Sequence, residues 1–444
     1  MSESSDMLGA AATSGTTLNS EVSSRNILDI LNDDCIGHIF RQLEHLEDLF
    51  NAATTCKRFW ECAMSLKFRF RSVAIENTHH AYSRKDVVSA HNAPALLRHF
   101  GQLAESVELR LVGNQQRGDE IFELLEKFCG KTLRKLTIAN YNPNFNIESQ
   151  FPALEHLTLY NAEPINFWLD SPLKHLAIQN FSEIVEEEYN FQPWFVRNYP
   201  HLESVYLNTT EICYDTLTVF LAFNQQLPEL DVHSEYLTPM IFQSIGLYSR
   251  NIQRLKMKCS EFQEYDSSYL HEELLNLSGL RKLTDFGVSG RLSLELLFKM
   301  FAENNTPIRS LEVDIAATDG KASIPTIRTL NKLQCICRAD VDENSLINLA
   351  KSQPALQILQ VTHMGSHTTI KAIEKILNYG RNLTDFEVSF CSSYIDMESY
   401  NRILLLAKNR VKVRITVPKR SQVNVPADIL KVNRNWVRIM FDCV

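Results

Sequence analysis

One spacing of apolar residues recurs along most of the chain: an apolar residue, two others, a second, one other, and a third. It runs through Leu133, Leu136, Ile138 and Leu154, Leu157, Leu159, then Leu173, Leu176, Ile178 and Leu202, Val205, Leu207. It continues through Ile252, Leu255, Met257 and Leu283, Phe286, Val288 to Leu383, Phe386, Val388. A partial copy, Leu109 and Leu111, precedes the series, and Val413 with Ile415 follows it. The last two positions of each copy have the period of two of a short strand, whose alternate side chains share one face. The intervening segments return the chain as helix or irregular turn. Glu120–Phe128, with Ile121, Leu124, Leu125 and Phe128 at i, i+3, i+4 and i+7, is the clearest helix. A single unit of this size cannot bury its own apolar face, whereas a stack of them can.

A different pattern precedes the series. Ile36, Ile39, Phe40 and Leu43 fall on one stripe of a helix. Asn32 or Asp33 can cap its start, and Asp33 and Asp34 suit the positive end of its dipole. A second short helix is expected over 47–53, with Leu46, Leu49 and Phe50 apolar, and a third from Thr55 or Cys56 carrying Phe59, Trp60 and Ala63. Three helices this short do not make a robust core alone, so the module is expected to need a partner.

Composition narrows the class. The chain has 444 residues, too many for one ordinary core, and only 14 glycines, which disfavours the Gly-rich phosphate loops of doubly wound enzymes. With 44% apolar and 22% charged residues it reads as a soluble folded protein, and no stretch reaches the roughly 20 apolar residues of a membrane span. Residues 1–25 are Ser/Thr-rich without a basic and then apolar segment, and read as a disordered cytoplasmic or nuclear leader. The ten cysteines show no paired CxxC spacing, which suits a reducing compartment and no zinc site. A net charge of −8 with mixed signs argues against a general nucleic-acid or anionic-membrane binder. In 67–71, Lys67, Arg69 and Arg71 alternate with Phe68 and Phe70, the pattern of a half-buried strand.

Residue by residue, the N-terminal module resembles an F-box. Leu31 stands at the leading Leu, Cys35 and Ile36 at the double apolar position, Ile39-Phe40 at the I-F pair, Asp48-Leu49 at D-L and Cys56-Lys57-Arg58 at C-K-R. Asn32 replaces the family's Pro, and Phe59 its Trp. The later series is similar to leucine-rich repeats, its copies starting about 19 to 31 residues apart. Asparagine is usually missing from the family's position, where Ala162, Thr210 and Glu235 stand, so no asparagine ladder is expected. The resemblance implies an α/β repeat fold: a three-helix F-box at 26–64, a capping strand and helix at 65–105, an irregular leucine-rich-repeat horseshoe with a concave short-strand sheet at 106–417, and a closing segment at 418–444. It also implies a substrate receptor of an SCF (Skp-cullin-F-box) ubiquitin ligase, with no chemistry or cofactor of its own. The partners implied are a Skp-family adaptor, through it cullin and RING subunits, and a target protein. A repeat scaffold without ubiquitin work is the alternative.

For the adaptor, the candidates are Leu31, Cys35, Ile36, Ile39, Leu43, Leu49 and Phe59. For the target they are outward positions of the repeat strands: Tyr160, Tyr206, His233, the basic set Arg254, Lys256 and Lys258, and the acidic pair Glu312 and Asp314. The basic and acidic sets are expected as opposed patches at two points of the arc. Asp285-Phe286-Gly287 imitates the metal-binding segment of a kinase. It is matched at the same repeat phase by Asp385-Phe386-Glu387, and Glu76 stands where Val73-Ala74-Ile75 would need a lysine, so both read as repeat strands. His363 and His367 could ligate a metal only on a helix, and they fall in a Gly/Ser/Thr-rich turn. No nucleophile elbow, HExxH or paired-carboxylate constellation is visible, so a catalytic site is not expected.

Overall fold

The computed structural model describes residues 30–77, 84–113, 115–141, 151–162, 172–181, 195–260, 262, 265–317, 323–340, 343–364, 369–389, 395–417 and 423–441. They divide into two compact units, Met1–Lys67 and Phe68–Val444. The residues His79, His80 and His367 lie outside the described set, as does the leader.

The first unit is three short helices, α1 (Asp33–Gln42), α2 (Leu46–Ala53) and α3 (Lys57–Met64). Asn32 caps α1, its side chain accepting from the Cys35 N–H at 2.8 Å. Leu43 lies one residue beyond the helix in extended conformation, so the expected stripe ends at Phe40. The Arg58 guanidinium reaches from α3 to Asp33 at the start of α1 (2.7 Å) and donates to the Leu31 carbonyl. The arginine of the C-K-R segment therefore fastens two helices of the module to each other.

Among the described residues, the second unit is an α/β array on one parallel sheet of sixteen strands. Its strands are β1 (Ser72–Glu76), β2 (Val87–Ser89), β3 (Ser106–Arg110), β4 (Lys135–Ala139), β5 (His156–Tyr160) and β6 (His175–Phe181). They continue with β7 (Ser204–Glu211), β8 (Glu229–Tyr236), β9 (Arg254–Cys259), β10 (Asp285–Ser293), β11 (Ser310–Ala317), β12 (Lys332–Asp340), β13 (Ile358–Met364) and β14 (Asp385–Ser389). Beyond these, β15 (Ile395–Asp396) and β17 (Val423–Asn424) form a separate pair, while β16 (Lys412–Val417) and β18 (Val437–Phe441) extend the main sheet. From β3 to β14 each strand lies beside its neighbour in sequence. The apolar phrase fixes this register: Leu230 pairs with Leu255, Leu255 with Phe286, and Phe286 with Leu311.

Burial alternates along the strands as a one-sided sheet requires, with Leu230, Val232, Leu255, Met257, Leu311 and Val313 buried. Helices cover that face: the Phe286 ring meets Phe301 of the helix Leu294–Glu303 edge-on, with centroids 5.4 Å apart. The other face carries the polar alternates.

One expectation is corrected. Residues 67–71 form a 3-10 turn, not a strand; Phe68 stays exposed while Phe70 is buried and stacks on Phe100 at 3.9 Å. In the closing segment, β18 forms the end strand of the main sheet by pairing with β16, and the helix Ala427–Asn433 buries no residue. Three asparagines recur at the strand ends, Asn161 one position before Ala162. Asn140, Asn161 and Asn180 follow the cores of β4, β5 and β6 with positive φ, and the Asn161 side chain donates to Asn140 at 2.8 Å. Asparagine tolerates that left-handed backbone better than other side-chain-bearing residues.

Candidate functional site

In the first unit the adaptor candidates separate by burial. Ile36 and Leu49 are buried within the chain and so are not available for docking. Phe59 is half-buried, edge-on to Phe40 with ring centroids 5.3 Å apart, and Leu31 and Leu43 are half-buried as well. Cys35 is exposed, and Ile39 remains 49% exposed in the middle of α1. Ile39 is thus half open to water on the same helix as the buried Ile36 and Phe40.

In the second unit, register builds a cluster on the uncovered face of β7–β11. Tyr206, Asp231, Lys256, Gly287 and Glu312 are successive partners across five strands. One pleat further on, Asn208, His233 and Lys258 form a parallel row. Glu312 accepts from Lys256 at 2.9 Å and from Lys258 at 2.8 Å. Burial opposes ionisation of Glu312, but the two ammonium groups outweigh it and hold its carboxyl below the ordinary value. Burial likewise opposes the charge on Lys258, and the hydrogen bond and charge of Glu312, together with the charges of Asp231 and Asp314, more than offset it, raising that pKa.

His233 Nε2 lies 3.0 Å from Asp231 Oδ1, and the Tyr206 ring meets the imidazole edge-on at 5.3 Å. Burial, and then the Asp231 charge, raise the Tyr206 phenol. Arg254 pairs with Glu229 at 3.0 Å at the start of the strands. Tyr160 stands two strands away on β5, partly exposed.

The expected opposed patches are therefore one neutralised network. Lys256 and Lys258 are two strands from Glu312, and the intervening strand offers Gly287, so the charges meet across the gap. Asp314 is buried. Asp231, Asn208 and Gly287 belong to the cluster and were not among the target candidates, although strand alternation places all three outward.

At the carboxyl ends of β6–β10 the face opens into a cavity of about 570 Å³ lined by Asn180, Asn208, Thr209, His233, Glu235, Lys258 and Ser289, among others. Its walls mix hydroxyl, amide, thiol and charged groups with about as much apolar surface.

Compared with models of known protein families and with curated proteins, the chain matches none. No described helix is long and apolar enough to cross a membrane.

Proposed function

We propose that the chain is the substrate receptor of an SCF-type ubiquitin ligase, its first unit an F-box and its second a leucine-rich-repeat horseshoe. The observation that carries this reading is the half-exposed Ile39 on a helix whose remaining apolar stripe is already buried. Cys35 and the half-buried Leu43 lie four residues to either side of it, and Leu31 and Phe59 are half-buried in the same unit, so a helical adaptor of the Skp family would find apolar surface to cover. The uncovered polar face of the parallel sheet, rich in paired charges and aromatic rings, suits a protein target. The receptor needs no chemistry of its own: holding a target beside the ubiquitin-charged enzyme raises the effective concentration of an acceptor lysine.

The test is capture of bound proteins from cells by the tagged full chain and by Ile39→Asp, read by mass spectrometry. Adaptor and cullin subunits are expected with the first and depleted at least tenfold with the second. Equal recovery with both would remove this face as the docking surface. Absence of adaptor from both would leave a repeat scaffold without ubiquitin work.

A further inference from the structure

Among the described residues the main sheet ends on β18, which pairs with β16 on one side and with no strand on the other. The helix beside it, Ala427–Asn433, buries none of its residues, whereas the helix Ile370–Tyr379 inside the array buries Ile370, Ala372, Ile373, Ile376 and Leu377. Val432 is 78% exposed, and Ile429 and Leu430 on the same helix are half-buried. Trp436, Ile439 and Met440, which follow it, are half-buried too. In a repeat array the next unit covers such side chains, and a terminal unit that stays free carries a polar outer face. An end strand beside uncovered apolar side chains is a template for association.

The charges of this helix select the partner. Asp428 and Lys431 are exposed, and neither forms an ion pair among the described residues. At 3.6 residues per turn, Asp428 and Lys431 line one side of an outward strip and Ile429 and Val432 the other. Two copies of the helix packed antiparallel about a two-fold axis bring like sides together, with residues early in one helix opposite residues late in the other. Asp428 of each copy then faces Lys431 of the other, and Ile429 of each meets Val432 of the other. Parallel packing would set Asp428 against Asp428 and Lys431 against Lys431. A two-fold contact must be self-complementary, and this strip is so in both charge and apolar surface. The opposed helix dipoles favour the same arrangement.

We propose that this end of the array is a homodimer interface, in which two copies of the chain pack their helices Ala427–Asn433 antiparallel and cover each other's Ile429 and Val432. One short helix per subunit falls below the roughly 800 Å² per partner of a standard stable interface, so the dimer is reversible. The inference goes beyond the receptor reading and stands whether or not the chain binds an adaptor.

Sedimentation equilibrium of the purified full chain, from about 1 to about 100 μM, is expected to show a monomer–dimer equilibrium within that range. Val432→Asp places a charge in the apolar contact, and Asp428→Lys or Lys431→Asp alone sets like charges face to face; each is expected to weaken the dimer at least about tenfold. The double reversal, Asp428→Lys with Lys431→Asp, pairs opposite charges again and is expected to dimerise at least about fivefold more tightly than either single reversal. All three positions are exposed, and an unfolding midpoint equal to the parent's shows that each variant is folded. A chain that stays monomeric throughout, an assembly larger than a dimer, a dimer untouched by Val432→Asp, or a double reversal no tighter than the single ones would overturn the proposal.

Discussion

Lys256 and Glu312 are bonded at 2.9 Å although a whole strand separates theirs, and Gly287 on that strand is what lets them meet. A Cβ at Gly287 would lie 3.1 Å from Lys256 Cγ and 3.6 Å from Glu312 Cβ, and no positive φ demands the glycine. Its role is the missing side chain. Gly287→Ala is expected to stay within about 1 kcal/mol of the parent, since the flexible lysine stem can give and the unfolded chain loses entropy. Gly287→Leu would block the bridge and cost about 1 to 2 kcal/mol. Denaturant unfolding of both variants checks this, and a fully stable Leu variant would show that the bridge contributes nothing.

The same carboxylate sets a pH dependence. Because the folded state holds the Glu312 pKa below the ordinary value, its contribution is present above the unfolded pKa and is lost as pH falls through the folded one. Glu312→Gln removes that contribution at neutral pH, for a loss of about 1 kcal/mol at this partly exposed site. The stability gap between the two proteins should therefore be widest above about pH 5 and close toward pH 3. Unfolding curves across that range decide it: a gap that stays constant with pH would mean that the carboxylate charge is not what stabilises.

Strand order was legible because the apolar phrase carries both register and face. Leu283 to Ser289 and Leu383 to Ser389 were recognisable as the same piece of structure, and they become β10 and β14 with Asp285 and Asp385 each at the first position. The pairing of Lys256 with Glu312 was not legible. It depends on which strands flank β10 and on an empty position between them, and a one-dimensional reading placed those charges at separate points of the arc. The recurring asparagines were hidden for a related reason: Asn161 stands one residue before Ala162, and only its positive φ reveals it as a turn residue.

That turn residue gives a second backbone test. Asn161 at φ 48° donates to Asn140, both in the exposed turns after their strands. Asn161→Gly keeps the left-handed backbone and loses only an exposed hydrogen bond, so a change within about 0.5 kcal/mol is expected. Asn161→Ala must hold the same φ with a Cβ and is expected to cost about 1 kcal/mol more. Equal stabilities would mean that the turn relaxes to a negative φ.

On α1, Ile36 and Ile39 are three residues apart and differ sharply in burial. Ile36→Ala should destabilise the helical unit by about 2 to 4 kcal/mol, seen as faster amide hydrogen exchange over α1 to α3. Ile39→Asp should leave that exchange unchanged, which makes it a clean probe of docking. Faster exchange in Ile39→Asp would mean that the residue supports the fold, and a lost interaction could then no longer be assigned to the surface.

Asn224 and Gln353 occupy the same place in two distant repeats, immediately after the helices Tyr214–Phe223 and Glu343–Ser352, and both are buried. Each amide clamps its own repeat to the preceding one. Asn224 accepts from the Tyr199 N–H at 2.8 Å and donates to the Arg197 carbonyl at 2.8 Å. Gln353 accepts from the Ile327 N–H at 2.9 Å and donates to the Pro325 carbonyl at 2.8 Å. These loops have no strand partner there, so the side-chain amide supplies what a backbone ladder otherwise would. Asn224→Leu and Gln353→Leu keep the volume but orphan a buried donor and a buried acceptor, and each is expected to cost about 3 kcal/mol. Gln225→Ala, at the exposed neighbour whose amide bonds only within its own repeat, should change stability by less than about 0.5 kcal/mol. Denaturant unfolding of the three variants reads the contrast, and Leu variants as stable as Gln225→Ala would show that water or backbone shifts satisfy those loops without the clamp.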